Sequence, residues 1–216
     1  NVTIYSPNIS NCWGDGLYVG LSSSTICKNI VIKDGYLKKN RRDGISIIAV
    51  DGLVLDNLYA GYTDGTLPKT GINIETNNTS CQVKNVKINN AKTEYNGANG
   101  ILVNLRTMIG STIKTSDITI TNHSDIGSPR YPLKISTTNT SYPGKLTGFI
   151  SVVNPSWHKT ATQTGMPIWL GCNHPNYKIS FSSPEWMTTG GSLLSYSTTY
   201  SLFMKSALGV KCTVAP

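Results

Sequence analysis

The sequence predicts an all-β chain: a right-handed parallel β-helix of about six to seven coils with irregular C-terminal coils. Three observations carry this reading. One glycine-centred phrase recurs as Asp15-Gly16-Leu17-Tyr18-Val19, Asp43-Gly44-Ile45-Ser46-Ile47, Thr70-Gly71-Ile72-Asn73-Ile74 and Asn99-Gly100-Ile101-Leu102-Val103, with the glycines 28, 27 and 29 residues apart. A fixed period of this size is the signature of a repeat architecture. The apolar positions alternate in twos and are mostly β-branched, whereas a helical array of similar period would show a 3.6-residue pattern. Charged residues make up only 14% of the chain, and Ser, Thr, Asn and Gly fill the polar positions, a composition suited to short strands and turns.

A second phrase alternates with the first. It opens as Asn1-Val2-Thr3-Ile4 and returns as Asn29-Ile30-Val31-Ile32, Gly52-Leu53-Val54-Leu55, Asn85-Val86-Lys87-Ile88 and Asp117-Ile118-Thr119-Ile120. Weaker copies stand at Gly148-Phe149-Ile150-Ser151-Val152 and Tyr177-Lys178-Ile179-Ser180-Phe181. Each repeat therefore carries two short strands, which cannot close a core alone but can stack like on like.

Strand parity assigns the faces. One residue after each glycine, Leu17, Ile45, Ile72, Ile101, Leu133 and Ile168 point inward; three after it, so do Val19, Ile47, Ile74, Val103, Ile135 and Leu170. Arg42 and Lys69, then Tyr18, Ser46 and Asn73, then Glu75 and Asn104 point outward on one sheet. Beyond about residue 105 the loops lengthen, and a proline replaces the glycine in Tyr131-Pro132-Leu133 and Met166-Pro167-Ile168. The expected organisation is regular coils over 1–139 and irregular coils or a cap over 140–216, continuous with the same domain. Trp157, Trp169 and Trp186 fall in that second part and are expected to serve the cap or a subunit contact.

With 216 residues the chain can bury a substantial core. No window resembles a membrane span of about 20 apolar residues, so no membrane insertion is expected. The chain starts without Met and reads as a processed or excised piece. The net charge of +8 favours acidic partners, but no nucleic-acid motif accompanies the basic run Lys38-Lys39-Asn40-Arg41-Arg42, which reads as a solvated turn. Cys12, Cys27, Cys81, Cys172 and Cys212 are odd in number and lack zinc-ligand spacing, so they read as small hydrophobes. Glycosylation sequons begin at Asn1, Asn8, Asn77, Asn78, Asn122 and Asn139, as chance allows in so Asn- and Thr-rich a chain. His123, His158 and His174 form no triad or metal motif. The eleven acids form no calcium cluster, and no phosphate-binding glycine loop occurs. No cofactor or metal is expected.

The segments Trp13-Gly14-Asp15-Gly16-Leu17-Tyr18-Val19, Asn40-Arg41-Arg42-Asp43-Gly44-Ile45-Ser46-Ile47 and Gly65-Thr66-Leu67-Pro68-Lys69-Thr70-Gly71-Ile72-Asn73-Ile74-Glu75 resemble the pectate-lyase-like β-helix superfamily, and within it the phage tailspikes. The resemblance covers roughly residues 10–105. It departs from the family at Asn73, where an Asp often stands. It implies a homotrimer on a virion tail that binds, and often cleaves, bacterial capsule or O-antigen polysaccharide. The alternatives are a non-catalytic receptor-binding or structural module, whose working carboxylates lie on missing residues or a neighbouring subunit, and a secreted pectinase-like enzyme.

Glycoside hydrolysis generally needs two carboxyl groups, about 5–5.5 Å apart for retention and about 6.5–9.5 Å for inversion. Asp15 and Asp43 each precede a repeat glycine in adjacent coils. Stacking sets them one or two strand spacings apart, where like charge raises one pKa; the plainer role of Asp-Gly is the turn into the strand. Glu75 ends an outward strand between Ile48 and Asn104 of the neighbouring coils, and its plainer role is an ion pair across the ladder. Asp64 lies in the excursion Gly61-Tyr62-Thr63-Asp64-Gly65-Thr66, expected to rise beside Glu75, and could equally be only a turn residue. Glu75, Asp64, Asp43 and Asp15 are the catalytic candidates, Glu75 first. Arg41 and Arg42 could clamp a sugar carboxylate, with Arg42 expected too far along the strand to reach the scissile bond. Tyr18, Tyr59 and Tyr62 offer flat faces to sugar rings, while Trp13 is assigned to packing. Asn73 and Lys69 complete the substrate-binding set.

Overall fold

The structure is a computed structural model that describes residues 1–20, 26–158, 160, 168–187 and 212–215. The chain winds into a parallel β-solenoid with three sheets. The first sheet stacks Val2–Tyr5, Cys27–Lys33, Val50–Asp56, Val83–Asn89, Lys114–Thr121, Leu146–Val153, Tyr177–Ser182 and Cys212–Ala215. The third stacks Leu17–Val19, Asp43–Ile47, Thr70–Glu75, Asn99–Asn104, Tyr131–Ser136 and Ile168–Gly171. These two contain the phrases read from the sequence. Between them lies a second sheet of three-residue strands, Asn8–Ser10, Tyr36–Lys38, Tyr59–Gly61, Lys92–Glu94, Ser124–Ile126, Ser156–His158 and Glu185–Met187. Two strands per repeat were expected; each of the first six coils has three. A three-residue strand shows only one inward side chain, too little for alternation to register.

The inward columns follow the expected register. Leu17, Ile45, Ile72, Ile101, Leu133 and Ile168 pair in succession, as do Val19, Ile47, Ile74, Val103, Ile135 and Leu170. All are buried except Leu17, which is partly covered in the first coil. Opposite them stand Ile30, Leu53, Val86, Ile118, Ile150 and Ile179. Burying like residues in stacked layers supplies the main stabilisation.

Both flanks of the second sheet turn sharply on polar residues. On one side Asp34, Asn57, Asn90, Asn122 and Asn154 adopt φ between 49° and 55°, a left-handed conformation that Asn and Asp tolerate best. Their side chains link from coil to coil, with Asn57 donating to Asp34 at 2.7 Å and Asn122 to Asn90 at 2.9 Å. On the other side buried Asn40 and Asn96 accept the Cys12 and Thr63 backbone N–H groups.

The alternation resets at the repeat glycine. Gly44 faces the interior, where an added Cβ would lie 2.5 Å from the Gly71 carbonyl oxygen and 2.9 Å from Ala60 Cβ. The next residue, Ile45, is interior as well. Two consecutive inward positions leave the preceding Asp43 on the outer side with Ser46 and Asn73.

The three-sheet plan continues through residue 187, pairing Lys114–Thr121 with Leu146–Val153 and that strand with Tyr177–Ser182. The sheets therefore run unbroken past position 139. Trp157 and Trp186 stack in register and are buried inside the second sheet; they fill the core and are not surface anchors. Cys81 and Cys172 are buried, Cys12 and Cys27 half-buried, and all four are free. Cys212 has no described side chain. Among the described residues no helix is long and apolar enough to cross a membrane.

The interior also holds a polar chain. Trp157 Nε1–H donates to His123 Nδ1 at 3.1 Å, which leaves the His123 proton on Nε2, 2.8 Å from Thr93 Oγ1. The Thr93 and Ser128 hydroxyls both donate to Asp125 Oδ1 at 2.6 Å. Burial lowers the His123 pKa to about 3 and raises that of Asp125 to about 6. The two act oppositely on stability. The His123 contribution is full above about 6.5 and fades as pH falls towards 3. The Asp125 contribution is full below about 4 and is lost as pH rises through 6, a change of about 3 kcal/mol at 1.36 kcal/mol per unit. Asp125→Asn removes only the second effect. Urea unfolding at pH 4, 5, 6 and 7 should show the variant gaining about 3 kcal/mol on the parent across that window; a pH-independent difference would mean that Asp125 does not titrate there.

Candidate functional site

The third sheet carries the candidate site on its outer side. Asp43 is fully buried and held by three donors: the Thr70 backbone N–H at 2.9 Å, Asn73 Nδ2 at 3.0 Å and Ser46 Oγ at 3.1 Å. Burial raises its pKa to about 6 against the pull of those hydrogen bonds, and the nearby Asp15 carboxylate adds to the rise. Asp15 lies alongside in the preceding coil, where Oδ2 takes an ion pair from Arg42 at 3.2 Å and Oδ1 is buried without a partner.

Asn73 was expected to meet a ligand. It is fully buried instead, and its Nδ2 bridges Asp43 Oδ2 and Glu75 Oε2 at 3.0 and 3.3 Å. Asp43 and Glu75 are therefore no more than about 6 Å apart at these oxygens. From the next coil, Asn104 Nδ2 donates to Glu75 Oε1 at 3.0 Å. Two amides thus fix Glu75, which remains partly exposed.

Glu75 opens into a cleft of about 360 Å³, a size typical of ligand sites. Arg42, Arg130 and Lys134 supply its positive charge, Leu67, Pro68 and Leu102 its apolar walls, and Asn99 an amide. Lys134 is held below its ordinary pKa by burial and by the neighbouring Arg130 and Arg106, while Glu75 pulls it back up. Its ammonium lies 5.1 Å from the Trp169 ring centre. A second, polar cleft of about 630 Å³ adjoins at Asn104, lined by Asn77, Asn78, Arg106, Asn139 and Ser141 among others. The Glu75–Asn104 hydrogen bond therefore links the two clefts.

Of the residues singled out in the sequence, the cleft brings together Arg42 and Glu75, although six strand positions separate their registers. The excursion after Gly61 reaches this face through Leu67 and Pro68, not through Tyr62 and Asp64. The Thr66 backbone N–H donates to Arg41 O at 2.9 Å, and Gly97 N–H to Thr63 O at 2.7 Å, which pins the loop across neighbouring coils. Asp64 is exposed and pairs with Lys69 at 2.7 Å, and neither lines the cleft. Tyr62 packs on Tyr95, ring centres 5.5 Å apart, with Lys38 above it. Tyr59 stacks on Tyr36 and donates to Glu94 at 2.9 Å. Tyr18 is 51% exposed on the outer face and outside the cleft. Trp13, assigned to packing, is 80% exposed with the Arg41 guanidinium over its ring at 4.2 Å. Ile48, expected outward beside Glu75, is buried in the core.

The sequence reading missed Arg130, Lys134, Leu102 and Asn99. A signal was present: Arg130 and Lys134 stand two before and two after Pro132, the same offsets as Arg42 and Ser46 from Gly44. Carrying the outward positions through the proline repeat finds them. No protein-family model, no curated protein and no solved structure matches this chain.

Proposed function

We propose that this β-solenoid binds bacterial surface polysaccharide, capsule or O-antigen, along its third sheet and hydrolyses it there, as a tailspike-like protein of a virion tail or as a secreted enzyme. The observation that supports this best is Glu75: a partly exposed carboxylate fixed by Asn73 and Asn104, facing a cleft with hydrogen-bonding, cationic and apolar walls. The Glu75 carboxyl donates a proton to the leaving glycosidic oxygen while water attacks the anomeric carbon and releases its own proton to solvent, from which Glu75 is protonated again. Asn73 and the buried Asp43 behind it position that carboxyl. Reducing-end release from capsule or O-antigen by the parent and by Glu75→Gln tests the reading.

A second reading, binding without cleavage, is favoured by one observation: Glu75 is the sole carboxyl lining the cleft among the described residues, whereas hydrolysis generally uses two. Binding without reducing-end release selects it.

The proposal includes a parallel homotrimer, the assembly that the tailspike resemblance implies. Sedimentation at micromolar concentration should give three times the 23.4 kDa chain mass; a stable monomer counts against the trimer.

A further inference from the structure

Resting on the carbohydrate reading, we infer that the Glu75 cleft selects an anionic sugar, with Arg130 and Lys134 receiving its charged group and Asn99 one of its hydroxyls.

The cleft gathers Arg42, Arg130 and Lys134 around a single carboxylate, and Arg106 acts on Lys134 from the adjoining cleft. Arg42 is paired with Asp15. None of the ion pairs among the described residues includes Arg130, Lys134 or Arg106. Burial, and then the neighbouring Arg130 and Arg106, hold Lys134 below its ordinary pKa, and cations gathered in one cleft are costly to hold together without an anion. An incoming carboxylate or sulfate relieves that repulsion and takes charge-assisted hydrogen bonds, bidentate from an arginine.

An independent observation defines the rest of the ligand. Asn99 lines the cleft and is 3% exposed; its Nδ2 donates to Thr70 Oγ1 at 3.3 Å, while its Oδ1 has no partner. A buried acceptor left open is costly. It repels a bare anion and requires a donor, such as a hydroxyl. A ligand that satisfies both the cations and this carbonyl carries an anionic group and a hydroxyl on one small scaffold. Leu67, Pro68 and Leu102 offer apolar surface to the C–H face of its ring. A sugar acid meets all three requirements, and a sulfated sugar is the other source of the same chemistry.

The test uses Glu75→Gln protein, so that binding is read without cleavage. Galacturonate and alginate oligosaccharides, their carboxyl-reduced neutral counterparts and dextran sulfate oligosaccharides are titrated by calorimetry or NMR. The acidic oligosaccharides should bind, and carboxyl reduction should weaken binding by about tenfold or more, the worth of one charge-assisted hydrogen bond. The further changes Arg130→Gln and Lys134→Gln, both on the outer face, should cause a similar loss while leaving the melting curve in place. Binding of dextran sulfate alone supports the anionic subsite and assigns its charge to a sulfate ester. Equal binding of acidic and reduced forms, or full affinity after both substitutions, overturns the inference and leaves the polysaccharide reading standing. Failure of the acidic and sulfated oligosaccharides alike to bind overturns the inference, while the polysaccharide reading is decided by the capsule and O-antigen assay.

Discussion

Glu75→Gln is expected to fold, to bind polysaccharide, and to lose about a hundredfold or more of its cleavage rate, the usual cost of removing a general acid. Folding should survive because the amide can be accommodated. Asn73 Nδ2 continues to donate to the remaining carbonyl oxygen. Asn104 can rotate its amide to present Oδ1, which is buried and unpartnered in the parent, to the new N–H group. Asn73 cannot rotate as cheaply, because the same Nδ2 also serves Asp43. The measurement is reducing-end release beside a binding isotherm on the same preparation. Unchanged cleavage would remove Glu75 from the mechanism and move the test to Asp15 and Asp43, of which Asp43 is fully buried.

Ile72→Asp is the second large effect. Ile72 is fully buried between Ile45 and Ile101 in the inner column of the third sheet. Asp there has no donor in reach of its column, so the carboxyl must either ionise in an apolar stack or take up a proton at a cost. It also removes a packed side chain. The combined penalty of about 5 kcal/mol or more is comparable with the whole stability of a typical domain. The central coils should therefore open, with loss of strand signal in far-UV circular dichroism and rapid proteolysis near residues 45–101. A variant that melts like the parent would place Ile72 outside the core and refute the register.

The repeat phrases made the first and third sheets legible. Alternation and a constant glycine interval are properties of the chain itself, and stacking like on like is the one way such strands can bury Ile45, Ile72 and Ile101 together. The second sheet was not legible, because Tyr36–Lys38, Tyr59–Gly61 and Lys92–Glu94 each present one inward residue of unrelated type, Leu37, Ala60 and Thr93. What recurs there is the turn column Asp34, Asn57, Asn90, Asn122 and Asn154, a backbone requirement that spacing alone could have exposed.

For the site, sequence by itself determined which residues stand in the outward columns, Arg42, Asn73 and Glu75 among them. Only the tertiary structure decided what each one meets. Asp43 and Asn73 are outward yet fully buried: the glycine resets the alternation at Asp43, and both lie in a hydrogen-bonded cluster with Ser46, Thr70 and Glu75. The cleft takes Arg42, Glu75, Leu102 and Lys134 from four successive coils, residues separated by 33, 27 and 32 positions. Parallel stacking sets successive coils only about 4.8 Å apart, so side chains this distant in sequence line one cleft. The 61–69 loop then adds Leu67 and Pro68 as a wall. That loop belongs to no repeat, so no periodicity in the sequence could say where it would lie.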